Sequence, residues 1–327
     1  KAIRRQRQMC IRDSSTPGNG FCKNIITVIN NAATALKLTL KNVKIDVSDA
    51  DGKAALSVQG DGNVTIELDG NNELKSGNLK AGLEKNTSEG TLTLKDDKEA
   101  GSGSLTAEGG GWAAGIGGSD GKGTNNIIIS GGTVTAEGGN YGAGIGGGYG
   151  GVGDHITISG GAVTAEGGEN GAGIGGGYSG VGDHITITGG KVTAEGGISG
   201  AGIGGGYWGR GRNITVSGAA QVTATATGSG PDWSGVGTGA TIGNGGSKTP
   251  DGPVDGKEIQ ADISHLTTGY IHHIIYNPDL DSDGKPDGIL KEWWEFALPK
   301  PIPDGESLDL HVETLEGNPL PFDARQQ

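Results

Sequence analysis

The middle of the chain repeats itself every 29 residues. Four isoleucines mark the period, and four glutamates repeat with the same spacing: Ile116, Ile145, Ile174 and Ile203, and Glu108, Glu137, Glu166 and Glu195. A fixed period of this size is typical of a solenoid, in which each repeat forms one structural unit that stacks on the next. The repeat therefore limits the fold more than any other feature of the sequence.

Each repeat contains three short segments with alternating apolar residues, the pattern of a β-strand with one buried face. In one repeat the inward pairs are Ala143 with Ile145, Ile156 with Ile158, and Val163 with Ala165. Three strands per turn, separated by short corners, predict an all-β fold. We expect a parallel β-helix of right-handed winding with 29-residue coils, in which equivalent residues lie roughly 4.8 Å apart.

Glycine is concentrated in the repeats, with 53 of the 69 glycines between residues 101 and 250. Paired glycines at the corners reach positive φ without strain. On the third strand we expect glycines such as Gly144 and Gly146 to form an outward face of bare backbone. The longer run from Gly146 to Gly153 predicts either an ordered loop stacked on its neighbours or a polyproline-II layer.

The repeat becomes irregular towards both ends. We expect a β-helix over residues 16–246, with irregular coils in 24–100 and regular, glycine-rich coils in 101–246. The Pro- and Gly-rich segment 247–257 predicts a linker. A small β-rich module of different composition is expected in 258–327.

The first residues do not read like the rest of the chain. Back-translation of "MCIRDS" in 1–14 resembles the mosaic end of a sequencing-library transposon adapter, so we expect residues 1–15 to lie outside the fold. Without residues 1–14, which hold five of the 25 basic and one of the 38 acidic residues, the net charge is about −17. This acidity disfavours nucleic acid and anionic membranes as partners. Cys22 is then the one remaining cysteine and has no disulfide partner within the chain.

Aromatic residues recur at one repeat position and suggest a ligand surface. Stacked at the coil spacing, they predict an aromatic ladder along one side of the rod: Tyr149, Tyr178 and Tyr207, with Trp208 beside the last and Trp112 at the start of the array. Aromatic faces suit sugar rings, whose C–H groups pack on a π surface. The alternative is that the tyrosines pack only on one another and close the glycine loop.

A second constellation places acidic, imidazole and guanidinium groups one coil apart. Asp154 and Asp183 are equivalent, each is followed by a histidine (His155, His184), and the next coil has Arg212 there. Paired carboxylates suit general acid and base catalysis, or hold Ca²⁺ against a uronic acid. These five residues are the catalytic candidates if the chain is an enzyme. The alternative is an Asp that caps a turn at the start of a strand.

The glutamates at the 29-residue interval form a further row, which we expect to be a solvated acidic face. The neighbouring row of threonines suggests ice binding as an alternative function, but the charged glutamates beside the threonines argue against it.

The segment "DLDSDGKPD" matches a calcium-binding loop. Asp279, Asp281, Asp283 and Asp287 alternate around Gly284, so that carboxylates wrap the ion and the glycine makes the sharp turn. Leu290 stands where an EF-hand has its glutamate, and Pro286 opposes a following helix. The motif is similar to the helix-free calcium loops of thrombospondin type 3-like repeats, and predicts Ca²⁺ in an extracellular setting. The alternative is an acidic turn without an ion.

Four short motifs lie within about residues 24–246: "AGIGGG", "ITISGG", "VTAEGG" and "VTIELDG". On these motifs, the segment resembles the glycine-rich, carbohydrate-binding-type β-helix surface proteins of gut-type Gram-positive bacteria. The resemblance implies a secreted or cell-surface protein whose partner is a polysaccharide or a host or cell-wall glycan. We expect a non-enzymatic glycan-binding or adhesion module. The alternatives are a polysaccharide lyase or glycoside hydrolase on a β-helix, and a structural stalk that displays other domains.

Overall fold

A computed structural model describes residues 20–97, 103–227, 236–277 and 288–297. The expected adapter-derived residues 1–15 lie outside these ranges. Within them the regular secondary structure consists of β-strands, arranged as three long sheets and one two-stranded hairpin. No helix in the described ranges is long and apolar enough to cross a membrane.

The three sheets run along the rod, and each successive coil contributes one strand to each sheet. Sheet 1 contains β1 (Ile26–Ile29), β4 (Leu56–Gln59), β7 (Leu83–Glu84), β10 (Ile116–Gly117), β13 (Ile145–Gly146), β16 (Ile174–Gly175), β19 (Ile203–Gly204) and β22 (Ile242–Gly243). Sheet 2 contains β2 (Leu36–Lys41), β5 (Val64–Asp69), β8 (Leu92–Lys95), β11 (Ile127–Ile129), β14 (Gly153–Ile158), β17 (Gly182–Ile187) and β20 (Ile214–Val216). Sheet 3 contains β3 (Lys44–Asp46), β6 (Asn71–Lys75), β9 (Ser104–Glu108), β12 (Thr133–Glu137), β15 (Ala162–Glu166), β18 (Lys191–Glu195), β21 (Gln221–Thr227), β25 (Tyr270–Tyr276) and β26 (Ile289–Glu295).

The strands of neighbouring coils pair in parallel and in register, which confirms the predicted β-helix. Ile145 lies beside Ile174, and Val163 lies beside Val192. The predicted inward residues of the regular coils are all buried, as the alternation indicated. Stacked identical side chains fill the interior, and each buried isoleucine or valine contributes roughly 1.5–3 kcal/mol.

Glycine at the corner between sheets 2 and 3 has the conformation that the sequence predicts. Gly132, Gly161 and Gly190 have φ of +86°, +87° and +82°. Residues with a Cβ rarely adopt this left-handed conformation.

The glycines of sheet 1 are not an exposed face, and the expectation of bare backbone at Gly144 and Gly146 is wrong. Both glycines are buried, as are their equivalents in the next two coils: Gly173, Gly175, Gly202 and Gly204. A Cβ on Gly144 would lie 2.6 Å from the backbone nitrogen of Glu166. Backbone therefore packs directly against backbone here, in a part of the cross-section too narrow for side chains.

The glycine run after each sheet 1 strand is an ordered loop, not a polyproline-II layer. Gly150 has φ of +68°, far from the polyproline-II value, and its N–H donates to the carbonyl of Tyr178 in the next coil. Equivalent bonds join Gly121 to Tyr149 and Ser179 to Tyr207. The loops thus stack on one another as the strands do.

The solenoid continues past the predicted linker. Residues 247–257 contain a hairpin formed by β23 (Ser247–Thr249) and β24 (Gly252–Val254). Beyond it, β25 pairs in parallel with β21, and β26 adds to β25 in antiparallel orientation. The described residues 258–276 therefore add to the coil that begins with β22. A separate module in 258–327 stays a prediction, because most of the later residues lie outside the described ranges.

Candidate functional site

The Asp–His pairs and most of the predicted aromatic residues lie in the connection between sheet 1 and sheet 2. Tyr149, Tyr178, Tyr207 and Trp208 occupy the loop that follows a sheet 1 strand, whereas Trp112 precedes β10 in the connection from sheet 3. The Asp–His pairs lie a few residues after the first two of these loops, at the start of β14 and β17. The stacked coils bring equivalent residues of the connection side by side.

Six aromatic rings form one continuous group, here called the aromatic cluster: Trp112, Tyr141, Tyr149, Tyr178, Tyr207 and Trp208. Tyr149 and Tyr178 stack with ring centroids 5.0 Å apart and planes 10° apart. The cluster contains all five predicted ligand-binding residues, and Tyr141 is an addition.

Backbone pairing between two different loops explains why Tyr141 belongs to the cluster. The N–H of Tyr178 donates to the carbonyl of Tyr141, and the N–H of Tyr149 donates to that of Trp112. Trp112 and Tyr141 share one repeat position, while Tyr149 and Tyr178 share another. Sequence reasoning missed Tyr141 because the next residues at its position are Asn170 and Ser199, so no aromatic pattern is visible there.

The tyrosines and the tryptophans differ in how much of each ring faces solvent. The tyrosine rings pack on one another, and burial together with the neighbouring Tyr149 and Tyr207 raises the pKa of Tyr178. Trp112 and Trp208, at the two ends of the cluster, are 37% and 49% exposed. The open aromatic surface therefore belongs mainly to the tryptophans.

Trp208 also has an unusual backbone conformation. Its φ is +64°, at the repeat position where the preceding coils have Gly121, Gly150 and Ser179 in the same left-handed region. A bulky residue in this region costs of order 1–3 kcal/mol.

The Asp–His pairs occupy another left-handed position of the repeat. His155 and His184 both have φ of +48°, and each backbone N–H donates to the carboxylate of the preceding aspartate, at 2.9 and 3.0 Å. These bonds fix the side chains of Asp154 and Asp183, which lie beside each other in parallel register. The two imidazole rings stack with centroids 4.6 Å apart.

Asp154 faces both imidazoles. Its Oδ1 atom lies 2.9 Å from Nδ1 of His155 and 3.0 Å from Nδ1 of His184. The carboxylate oxygen and the two ring nitrogens lie within 4.8 Å of one another. Such a set suits a proton acceptor or a metal ligand set.

Asp183 has a different environment, because Arg212 and Asn213 hold its carboxylate. Arg212 Nε donates to Oδ2 at 2.7 Å, and Asn213 Nδ2 donates to Oδ1 at 2.8 Å. Burial raises the pKa of Asp183, but these hydrogen bonds and the charges of His184 and Arg212 outweigh burial, so the net pKa is lowered. An aspartate held ionised in this way is poorly suited to act as a general acid.

A shallow groove of about 430 Å³ begins at His184. Its walls come from sheet 2 and from a later segment of the chain, and consist of Thr186, Asn213, Ile214, Thr215, Gln260 and Asp262. Thr215 and Asp262 are joined by a parallel bridge that places the later segment beside β20. Gln260 and Asp262 carry no sequence signal, since only the tertiary structure brings them to the groove.

The predicted calcium ligands Asp279, Asp281, Asp283 and Asp287 lie outside the described residues, between β25 and β26. The backbone on either side of the motif is joined by a hydrogen bond from the N–H of Asn277 to the carbonyl of Gly288. Calcium binding stays a prediction.

Comparison with known families finds one match. Residues 127–149, 156–178 and 185–207 each match the family described as beta helix repeat. Each segment begins within a sheet 2 strand and ends on Tyr149, Tyr178 or Tyr207. No curated protein and no solved structure matches the chain. The match supports the β-helix fold and gives no information about ligands.

Proposed function

We propose that this chain is a non-enzymatic glycan-binding module of a secreted or cell-surface protein. An extended polysaccharide lies along the aromatic cluster and contacts mainly Trp112 and Trp208. The tyrosines between them support these contacts, since their ring faces are largely occupied by one another. The acidity of the chain is compatible with a neutral sugar partner and unfavourable for nucleic acid or an anionic membrane. Calcium at Asp279, Asp281, Asp283 and Asp287 is part of the same extracellular proposal.

The observation that carries the proposal is the position of Trp208. Its left-handed backbone is unfavourable for a large side chain, and its ring is half exposed, so burial compensates the cost only in part. The equivalent Gly121 and Gly150 show that the loop does not need an aromatic residue there. Energetically unfavourable backbone conformations of this kind cluster at ligand-binding sites, where they position a side chain for contact with the ligand.

The enzyme alternative has less support from the same connection between sheets. Its catalytic residues would be Asp154, His155, Asp183, His184 and Arg212. Asp183 is ionised and held by Arg212, and the neighbouring groove is shallow, whereas catalysis requires an acid near its working pKa and a site that excludes water. A binding module needs neither.

The test is retention of the full chain on gels that contain soluble polysaccharides. The variants Trp208→Gly and Trp112→Ser copy residues found at the same repeat positions, Gly150 and Ser199, and so preserve the loops. Each stacking contact contributes about 0.5–1.5 kcal/mol, so each variant should weaken binding about 2- to 10-fold. The control is Ile128→Thr, which gives sheet 2 the residue found at Thr157.

Equal retention of the wild type and the double tryptophan variant on every polysaccharide would overturn the proposal. Reducing ends that accumulate with time, and that disappear in Asp154→Asn and Asp183→Asn, would show the enzyme instead. A chain that no glycan retards would be a stalk.

A further inference from the structure

The two central coils differ from their neighbours at the position of the Asp–His pairs. The preceding coil has Asn125 and Asn126 there, and the following coil has Arg212 and Asn213. All four second residues are left-handed, with φ of 56° at Asn126, 48° at both histidines and 52° at Asn213. Asparagine is a common choice in this conformation. The backbone therefore does not require histidine in the two central coils.

The side chains of these two coils converge on one point. Asp154 Oδ1 is 2.9 and 3.0 Å from the Nδ1 atoms of His155 and His184. In a tetrahedral zinc site with bonds of roughly 2.0–2.2 Å, neighbouring donor atoms lie about 3.3–3.6 Å apart. Because the planes of the two stacked rings are 21° apart, the rings must both move outward and turn until their Nδ1 lone pairs point at one ion between the three atoms.

We propose that Asp154, His155 and His184 form a binding site for one divalent transition-metal ion of the Zn²⁺ type. Two imidazole nitrogens and one carboxylate oxygen suit zinc, copper or nickel, whereas Ca²⁺ and Mg²⁺ require oxygen ligands. The site is separate from the acidic motif at Asp279 and does not depend on the glycan proposal.

The surroundings of the three ligands define what kind of site this is. The side chains of Asp154, His155 and His184 are 34%, 57% and 49% exposed, so the ion would keep coordination positions open to water. Asp183 Oδ1 also lies 3.2 Å from Nδ1 of His184, but the carboxylate of Asp183 already accepts hydrogen bonds from Arg212 and Asn213 and is not counted as a ligand. The groove lined by Thr215, Gln260 and Asp262 begins at His184, which places the open positions beside a surface where an anionic or hydroxylated ligand has room.

The flanking coils provide matched variants for the test. His155→Asn with His184→Asn copies Asn126 and Asn213, and Asp154→Asn copies Asn125, so each variant keeps a residue that this backbone already accepts. His265→Asn is the control, because His265 is exposed and lies outside the cluster. Thermal unfolding in EDTA checks that the wild type and the three variants fold equally well.

The measurement is calorimetric titration of the full chain with Zn²⁺, repeated in excess Ca²⁺. We expect one Zn²⁺ site in the wild type and in His265→Asn, unaffected by Ca²⁺. Affinity should fall at least about tenfold in the double histidine variant and in Asp154→Asn, since loss of a ligand costs more than loss of a supporting contact. Co²⁺ should show the visible absorption of a site with nitrogen ligands only in the wild type and in His265→Asn.

Unchanged zinc affinity in the double histidine variant would overturn the proposal, as would a wild type that shows no zinc binding at millimolar concentration. Displacement of Zn²⁺ by excess Ca²⁺ would also contradict it, because it would assign the signal to oxygen ligands. None of these results depends on whether a glycan binds.

Discussion

At the scale of single residues, the glycines of the repeated word "AGIGGG" are required by packing. A Cβ on Gly173 would lie 2.6 Å from the nitrogen of Glu195, 2.7 Å from the carbonyl oxygen of Gly202 and 2.8 Å from that of Ala165. All three contacts are with backbone atoms, which cannot move without disturbing the pairing between coils. The glycines therefore set the narrow part of the cross-section.

Gly173→Ala should thus destabilise the chain strongly, although its φ suits alanine. We expect a loss of about 1–3 kcal/mol or more, as for other overpacked positions. Gly111→Ala is the control, because the nearest atom to its Cβ is the flexible side-chain oxygen of Asn78 at 3.2 Å. That change should lie within about 1 kcal/mol of neutral. Denaturant unfolding measures both variants, and equal losses would contradict this account of the glycines.

At the scale of an element, sheet 3 carries a row of carboxylates that is only partly solvated. Glu108, Glu137, Glu166 and Glu195 lie in parallel register on adjacent strands. Glu108 pairs with Lys75. Burial, and then the charge of neighbouring glutamates, raises the pKa of Glu137 and Glu166, and burial raises that of Glu195.

The sign of this shift predicts greater stability in mild acid. Because the folded-state pKa of these glutamates exceeds the unfolded value, their stabilising contribution is complete below the unfolded pKa. It is lost as the pH rises through the folded pKa. We therefore expect the glutamate row to make the fold less stable at pH 7 than at about pH 5.

Glu166→Gln tests this at one position of the row. It should stabilise the chain at pH 7 by about 0.2–1 kcal/mol, the usual effect of removing a like charge between opposed residues. It should also reduce the difference in melting temperature between pH 5 and pH 7. Glu169→Gln, in the exposed loop that follows, is the control and should leave that difference unchanged. A pH dependence identical in both variants would show that the row does not act on stability.

At the scale of the whole molecule, the rod is a stack in which each coil pairs only with the coils on either side. Removing residues 145–173 joins Gly144 to Ile174 and keeps every strand in register with its new neighbour. We expect the shortened chain to keep its β-type circular dichroism and a cooperative unfolding transition at a somewhat lower temperature.

Removing residues 145–158 is the matched contrast. It deletes a sheet 1 strand and a sheet 2 strand but leaves β15, so the following coils lose their register and their inward residues no longer face the core. This chain should fail to fold cooperatively. Similar melting curves for the two deletions would contradict a stack built from 29-residue units.

The sequence by itself determined the solenoid, its period and its interior. Alternation placed Ile145, Ile158 and Val163 inside, and paired glycines located a corner, because both signals are local properties of a strand or a turn. In-register stacking then followed from the exact repeat, and it brought Asp154 beside Asp183. The same local signals could not show whether a strand face is covered.

Only the tertiary structure decided what surrounds those strands. Backbone of sheet 3 and of the next coil packs against Gly144, so this glycine is buried, and the pairing of two different loops brings Tyr141 into the aromatic cluster. The shared approach of His155 and His184 to one oxygen depends on side-chain conformations across two coils. Asp262 reaches the groove from a segment 47 residues beyond its partner Thr215. These contacts join parts of the chain with no common local pattern, and for that physical reason the repeat alone does not contain them.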